Sequence, residues 1–115
     1  MHCSVMENRR LFHVDSKSYE IMQEGNSKGI TIIERGRNRQ SNVVFGGEGA
    51  RWFQAGLHVV AHLPSDHKFQ KTFREGAKVF LFQKQCNDQG RYVSITEFRV
   101  TKGKGYVIIP EGRDL

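Results

Sequence analysis

The chain has 115 residues, with 18 Lys and Arg against 12 Asp and Glu, a net charge of +6 and a pI near 9.6. That length holds one domain with a modest core, which excludes a TIM barrel, a complete two-half dinucleotide-binding enzyme or a second independent domain. Two cysteines cannot frame a disulfide scaffold, no apolar run nears the ~18 residues of a membrane span, and the first residues form no secretory signal. We therefore expect a basic domain of a reducing intracellular compartment, with no membrane partner.

Residues 1–9 are polar and patternless and are expected to form a loose end before a single domain over 10–115. Arg10 to Val14 alternates as a strand, and Tyr19 to Met22 is a second short one. Glu24 to Gly29 is turn chemistry with two glycines and an Asn. The β-branched run Ile30 to Glu34 reads as a buried strand, Arg35 to Arg39 as a basic turn, and Ser41 to Phe45 as a strand closed by Gly46 and Gly47.

The period then changes. Trp52, Gly56, Val59 and Leu63 follow helical spacing, widened by Phe53, Leu57 and Val60, so a helix over 48–63 is expected to lie against a sheet until Pro64 stops it. Phe69 and Phe73, four apart, predict one more helical turn over 69–74. Strands follow over 77–83, 91–99 and 106–109, joined by the turns Asn87 to Gly90 and Thr101 to Gly105.

The two halves repeat at an offset of 63 positions. This offset sets Ile30 to Glu34 on Val93 to Glu97, and Val43 to Phe45 on Tyr106 to Ile108. Upstream, Phe12-x-Val14 is set against Phe80-x-Phe82. Both copies carry a basic turn: Arg35, Arg37 and Arg39 in one, Arg99, Lys102 and Lys104 in the other. Clustered Lys and Arg are the electrostatic footprint of nucleic-acid binding, although solvated hairpin turns favour the same residues.

The run Lys84-Gln85-Cys86-Asn87-Asp88-Gln89-Gly90-Arg91-Tyr92, leading into a strand that ends at Glu97, resembles the signature of the PUR repeat of the Pur-alpha family. A weaker copy, Asn26-Ser27-Lys28-Gly29, leads into Ile30 to Glu34 without the Gly-Arg-aromatic triplet. With Phe69-x3-Phe73-Arg74 and Ile108 to Gly112, the chain is similar over about residues 10–112 to the PUR-like region of plant retrotransposon-type proteins. The resemblance implies an α+β fold of two intertwined ββββα repeats with curved antiparallel sheets, repeat I over 10–63 and repeat II over 67–115. It also implies single-stranded DNA or RNA as partner, no enzymatic activity, no cofactor and a nuclear location. A second helix would begin near Glu111, where few residues remain, so a face bearing Val93, Ile95, Val107 and Ile109 is expected to lie bare and to draw a second copy into a homodimer.

Strand 91–99 carries the chemistry. Its period of two puts Val93, Ile95 and Glu97 on one side and Tyr92, Ser94, Thr96 and Phe98 on the other. If the Val/Ile side meets the helix, Tyr92 and Phe98 face an open side, where unpaired bases can stack on them. The alternative is that both rings pack against a partner surface. Lys84 and Arg91 are candidates to hold phosphates and Asn87 to reach a base edge, with Asn26 and Lys28 as the first repeat's counterparts and the basic turns adding charge. A protein-interaction module is the rival reading of the same surface. His58 and His62 with His67 have spacing that can hold zinc, but no His-Glu-x-x-His motif accompanies them, so we expect exposed or capping histidines and no metal. Gly46-Gly47-x-Gly49 lacks the Lys-Ser/Thr of a P-loop and reads as a strand-to-helix turn. Glu34 and Glu97 occupy equivalent strand ends and are expected to bond turn amides rather than act as an acid/base pair.

Overall fold

A computed structural model describes residues 9–14, 16–23, 28–64, 66–88, 90–99 and 103–110; the side chains of Phe12, Val14, Asn87 and Lys104 are outside that description. The expected loose end over 1–9 falls outside it except for Arg9, which opens a strand and pairs with Met22. The element order is β1 (Arg9–Val14), β2 (Lys17–Gln23), β3 (Ile30–Arg35), β4 (Gln40–Phe45), α1 (Gly47–Ala61), β5 (Phe69–Glu75), β6 (Lys78–Asn87), β7 (Gly90–Arg99) and β8 (Gly103–Pro110). Sheet I is the antiparallel meander β1-β2-β3-β4, and sheet II is β5-β6-β7-β8. This is the expected α+β architecture of ββββα followed by ββββ.

Residues 69–75 are a strand rather than a helical turn. Phe69 and Phe73 share a side in either conformation, and the pairing of Phe73 with Phe80 decides for the strand. That pairing also completes the second four-stranded sheet.

The ladders revise the repeat alignment. β3 pairs Glu34 with Ser41, whereas β7 pairs Glu97 with Gly105, so the second turn is one residue longer. Val43 therefore corresponds to Val107, not to Tyr106, and both valines are fully buried. Likewise the counterpart of Phe80-x-Phe82 is Tyr19-x-Ile21 on β2, not Phe12-x-Val14 on β1.

Each sheet has an inner face of Tyr, Phe, Ile and Val and an outer face that is more polar. The helix lies on the inner face of sheet II. Trp52 stacks on Phe73 at 5.4 Å and meets Phe82 edge-on at 6.1 Å, while Phe45 of sheet I touches Phe80 at 4.5 Å. The buried helical residues are Gly49, Ala50, Phe53 and Gly56, with Trp52 and Val60 packed beside them. Leu57 and Val59, expected on the packed side, are exposed instead. Gly56 allows the close approach, since a Cβ there would lie 3.0 Å from the Phe82 ring.

The edge strands β4 and β8 cross, and they do so reciprocally. Glu34 of sheet I accepts the backbone N–H of Ile108 on β8 at 2.8 Å, and Glu97 of sheet II accepts the N–H of Val44 on β4 at 2.8 Å. The ladders make Val44 and Ile108 equivalent, so the two repeats exchange the same contact. The cations follow suit: Lys17 pairs with Glu34 at 2.9 Å and Lys78 with Glu97 at 3.7 Å, from equivalent places on β2 and β6. Edge amides that would otherwise be open to another strand are thus satisfied within the chain. The glutamates bond amides, as expected, but those of the opposite repeat's edge strand rather than of turns.

This crossing also covers the face expected to be bare. Val93, Ile95 and Val107 are buried in the single chain, and Ile109 packs against the core. The argument for a dimer from that face therefore falls.

Candidate nucleic-acid interface

The register of β7 puts Tyr92, Ser94, Thr96 and Phe98 on the outer face of sheet II, as the alternation predicts. Phe98 is 43% exposed and Tyr92 half-buried. Ser94 and Thr96 are buried between neighbouring strands, and the Ser94 hydroxyl has no partner among the described residues. The same face carries Leu81, Gln83 and Gln85 from β6 and Thr72 and Arg74 from β5.

Tyr106 belongs to this face as well, and the sequence reading missed it. It lies directly across from Thr96 and is 41% exposed. The slipped alignment had matched it to buried Val43; alternation against Val107 alone would have turned it outward.

The basic turns come to the same end of the sheet. Ser41 Oγ bonds the backbone of Tyr106, accepting its N–H at 3.1 Å and donating to its carbonyl. Arg39 and Arg37, both exposed, stand two and four residues before Ser41 in a turn closed by the Gly36 N–H to the Arg39 carbonyl at 2.8 Å. Lys104 pairs with Phe98 across β7 and β8, and the turn between these strands holds Lys102, which is outside the described residues. The crossing of β4 and β8 thus brings the strand that follows Arg37 and Arg39 to the backbone of Tyr106.

Other candidate residues lie elsewhere. Arg35 is on the outer face of sheet I, bound to Glu20 at 2.9 Å, with Arg9 on the other carboxylate oxygen. The Arg35 guanidinium, followed by Arg9, holds the Glu20 carboxyl below the usual glutamate range against the opposing effect of desolvation. Lys84 is buried on the inner face of sheet II, opposite to Tyr92, and its ammonium donates to the carbonyls of Pro64, at 2.8 Å, and His67. It ties the loop after α1 to β6 rather than projecting into solvent. Arg91 shares the inner parity and is half-buried, opposite the exposed Cys86. Lys28 is exposed with a left-handed backbone, φ 58°. Asn87 closes β6, its side chain outside the description, and Asn26 lies outside the described residues.

The two remaining motifs find partners within the chain. The helix N-terminus at Gly46 to Gly49 is filled by Glu75 of β5, whose two carboxylate oxygens accept the N–H groups of Gly46 and Gly49, each at 2.8 Å. A side chain at Gly49 would displace it, with a Cβ 2.6 Å from Glu75 Oε1. The carboxylate thus occupies the place a phosphate would take. His62 Nδ1 meets the carbonyl of His58 at 2.9 Å, and no three His, Cys, Asp or Glu among the described residues gather as a metal site.

No protein-family model matches the chain. Over 103 residues, 90% of its length, the chain is 23% identical to the transcription factor Pur-alpha 1 of Arabidopsis thaliana. It spans about a third of that relative (33%). Together with the two four-stranded sheets and the helix between them, this similarity fits a PUR-repeat-like fold.

Proposed function

We propose that the chain binds single-stranded DNA or RNA, with little regard to sequence, on the outer face of sheet II, as a non-enzymatic nuclear factor. One observation carries the reading: exposed Phe98 and Tyr106 and half-buried Tyr92 share one sheet face, and the strand that follows exposed Arg37 and Arg39 is bonded to the backbone of Tyr106. An unpaired base offers a π-face for the rings and a phosphate for the cations, and duplex DNA, already stacked, offers chiefly the second. The similarity to a Pur-alpha transcription factor supports both the ligand class and the nuclear location.

Within this reading Tyr92 and Phe98, six residues and roughly 20 Å apart on one strand, stack on different bases. Arg37, Arg39, Lys102 and Lys104 meet phosphates at that face, Arg91 and Lys28 meet them where the bound strand runs on past it, and Asn26 and Asn87 reach base edges. Arg35 and Lys84 support the surface through Glu20 and the 64–67 loop. Kinship with PUR-like regions of plant retrotransposon-type proteins is part of the same proposal, resting on the spacings around Phe69, Asn87 and Ile108. So is a homodimer, whose support passes to the exposed Leu11 of β1 and Leu57 and Val59 of α1.

Electrophoretic shift titrations with single-stranded DNA, duplex DNA and single-stranded RNA across a salt series test the proposal. Single strands should bind more tightly than duplex, and log affinity should fall with log salt by about 0.7 per phosphate contact. Salt-insensitive self-association with no shift of any nucleic acid would overturn it in favour of a protein-interaction module.

A further inference from the structure

Phe98 and Tyr106 stand in a particular relation to each other. Phe98 pairs across the β7–β8 ladder with Lys104, and Tyr106 pairs with Thr96. The two rings are therefore diagonal neighbours on one face, with Thr96 and Lys104 on the other diagonal. Diagonal positions of an antiparallel pair are about 7–8 Å apart. Two flat groups in contact are separated by about 3.5–4.0 Å, so one flat group between two rings needs a gap of about twice that. The roots of the two side chains on the diagonal are spaced for such a gap. Among the described residues neither ring stacks on another, whereas Phe45, Trp52, Phe53, Phe69, Phe73, Phe80 and Phe82 form one connected set of ring contacts. Both rings are more than two-fifths exposed. The backbone beneath Tyr106 is fixed from below by Ser41 of the other sheet, and Gly105 beside it meets Asn42 so closely that a Cβ would lie 2.2 Å from the Asn42 carbonyl oxygen. A fixed floor with two exposed rings rooted on diagonal positions about 7–8 Å apart suits a single planar group.

We infer that Phe98 and Tyr106 form a clamp that takes one unpaired nucleobase between their rings. The inference rests on the single-strand reading above and narrows it to a named pair and an occupancy of one base. The exposed Arg37 and Arg39, in the turn that leads into Ser41, offer positive charge for phosphates flanking that base. Sheet I has no such pair: its outer face carries Leu11, His13, Glu20, Met22 and Ile33, with Glu20 held by Arg9 and Arg35, and no Phe, Tyr or Trp among the described residues. The clamp therefore belongs to repeat II alone.

The probe is an oligomer of about eight abasic deoxyribose units carrying a single thymine, compared with the fully abasic oligomer and with oligothymidylate of equal length. The wild-type chain should bind the one-base oligomer about 5- to 150-fold more tightly than the fully abasic one. In a clamp both rings hold the same base, so Phe98→Leu and Tyr106→Leu should each remove most of that gain. Tyr106→Phe, which keeps the ring, should retain it. If the rings worked as separate platforms, the single thymine would use whichever remained, and either leucine variant would keep the gain. That result, or the absence of any gain in a wild-type chain that binds oligothymidylate, overturns the clamp and leaves the single-strand reading standing. Failure of the wild type to bind oligothymidylate overturns both. Circular dichroism and thermal melting confirm that each variant is folded.

Discussion

Glu75 stands two strands from Phe98 with the opposite parity in sheet II, and it ties the first repeat's helix to the second repeat's sheet. A helix N-terminus presents unsatisfied N–H groups and a partial positive charge, and α1 has no side-chain cap of its own at Gly46. A carboxylate from β5 fills that role across the junction between repeats. Glu75→Gln keeps the shape and loses the charge, and should lower unfolding free energy by about 1–2 kcal/mol in urea titrations. Glu20 makes a different prediction, in pH. Its folded-state carboxyl titrates below an unfolded glutamate, so its contribution is complete above an unfolded pKa of about 4.3 and is lost as pH falls towards its depressed value. Glu20→Gln should be less stable than wild type at pH 7, and the difference should shrink on acidification to pH ~3. A constant difference across that range would mean that the ion pairs with Arg9 and Arg35 contribute nothing. Lys84 marks the boundary of what the sequence reveals at this scale. Its place in a motif was visible, but its fate depends on strand parity and on a loop closing above it, so an expected phosphate ligand is instead a buried clamp on two carbonyls.

At the scale of elements, most strands were legible because alternation and turn residues agree in them. The run 69–75 was not, because a spacing of four satisfies both a helix face and one side of a strand. Its partner, Phe80, is a non-local fact. The repeat was legible through its glutamates, but one extra residue in the β7–β8 turn shifted the last strand by one. In a strand such a slip exchanges inside for outside, which is why Tyr106 went unseen. The helix was read a fraction of a turn away from its true face, since Leu57 and Val59 are apolar but uncovered. The crossing itself has a simple test. At Gly105 a Cβ would collide with backbone, and backbone at a strand crossing cannot step aside as a side-chain tip can. Gly105→Ala should destabilise by about 1–3 kcal/mol or more, whereas Gly36→Ala, whose Cβ would meet only Arg39 O at 3.9 Å, should be close to neutral. Paired thermal melts of the two variants decide the matter.

Across the whole molecule, the proposed interface lies on one repeat, while the glutamate contacts are exchanged between both. A net charge of +6 spread evenly would draw any polyanion weakly, whereas cations clustered in the two basic turns would give the field a location. Changing Arg37, Arg39, Lys102 and Lys104 together to Ala should weaken binding to every single-stranded sequence alike. It should also reduce the salt slope by about 0.7 for each phosphate contact removed. Unchanged affinity and slope would make these ordinary solvated hairpins. The reciprocal glutamates bear on how such a chain is made. Glu34 bonds the amide of Ile108, 74 positions later, and Glu97 bonds that of Val44, 53 positions earlier. At bacterial to eukaryotic synthesis speeds of about 5–20 residues per second, the first glutamate is synthesised roughly 4–15 s before its partner. During that interval the nascent first meander has the edge of β4 unpaired and a carboxylate with no amide to meet, which is the condition in which chaperones act. A ribosome-stalled chain ending before β8 should accordingly be protease-sensitive throughout sheet I, and extension past Pro110 and clear of the exit tunnel should protect both sheets in a single step.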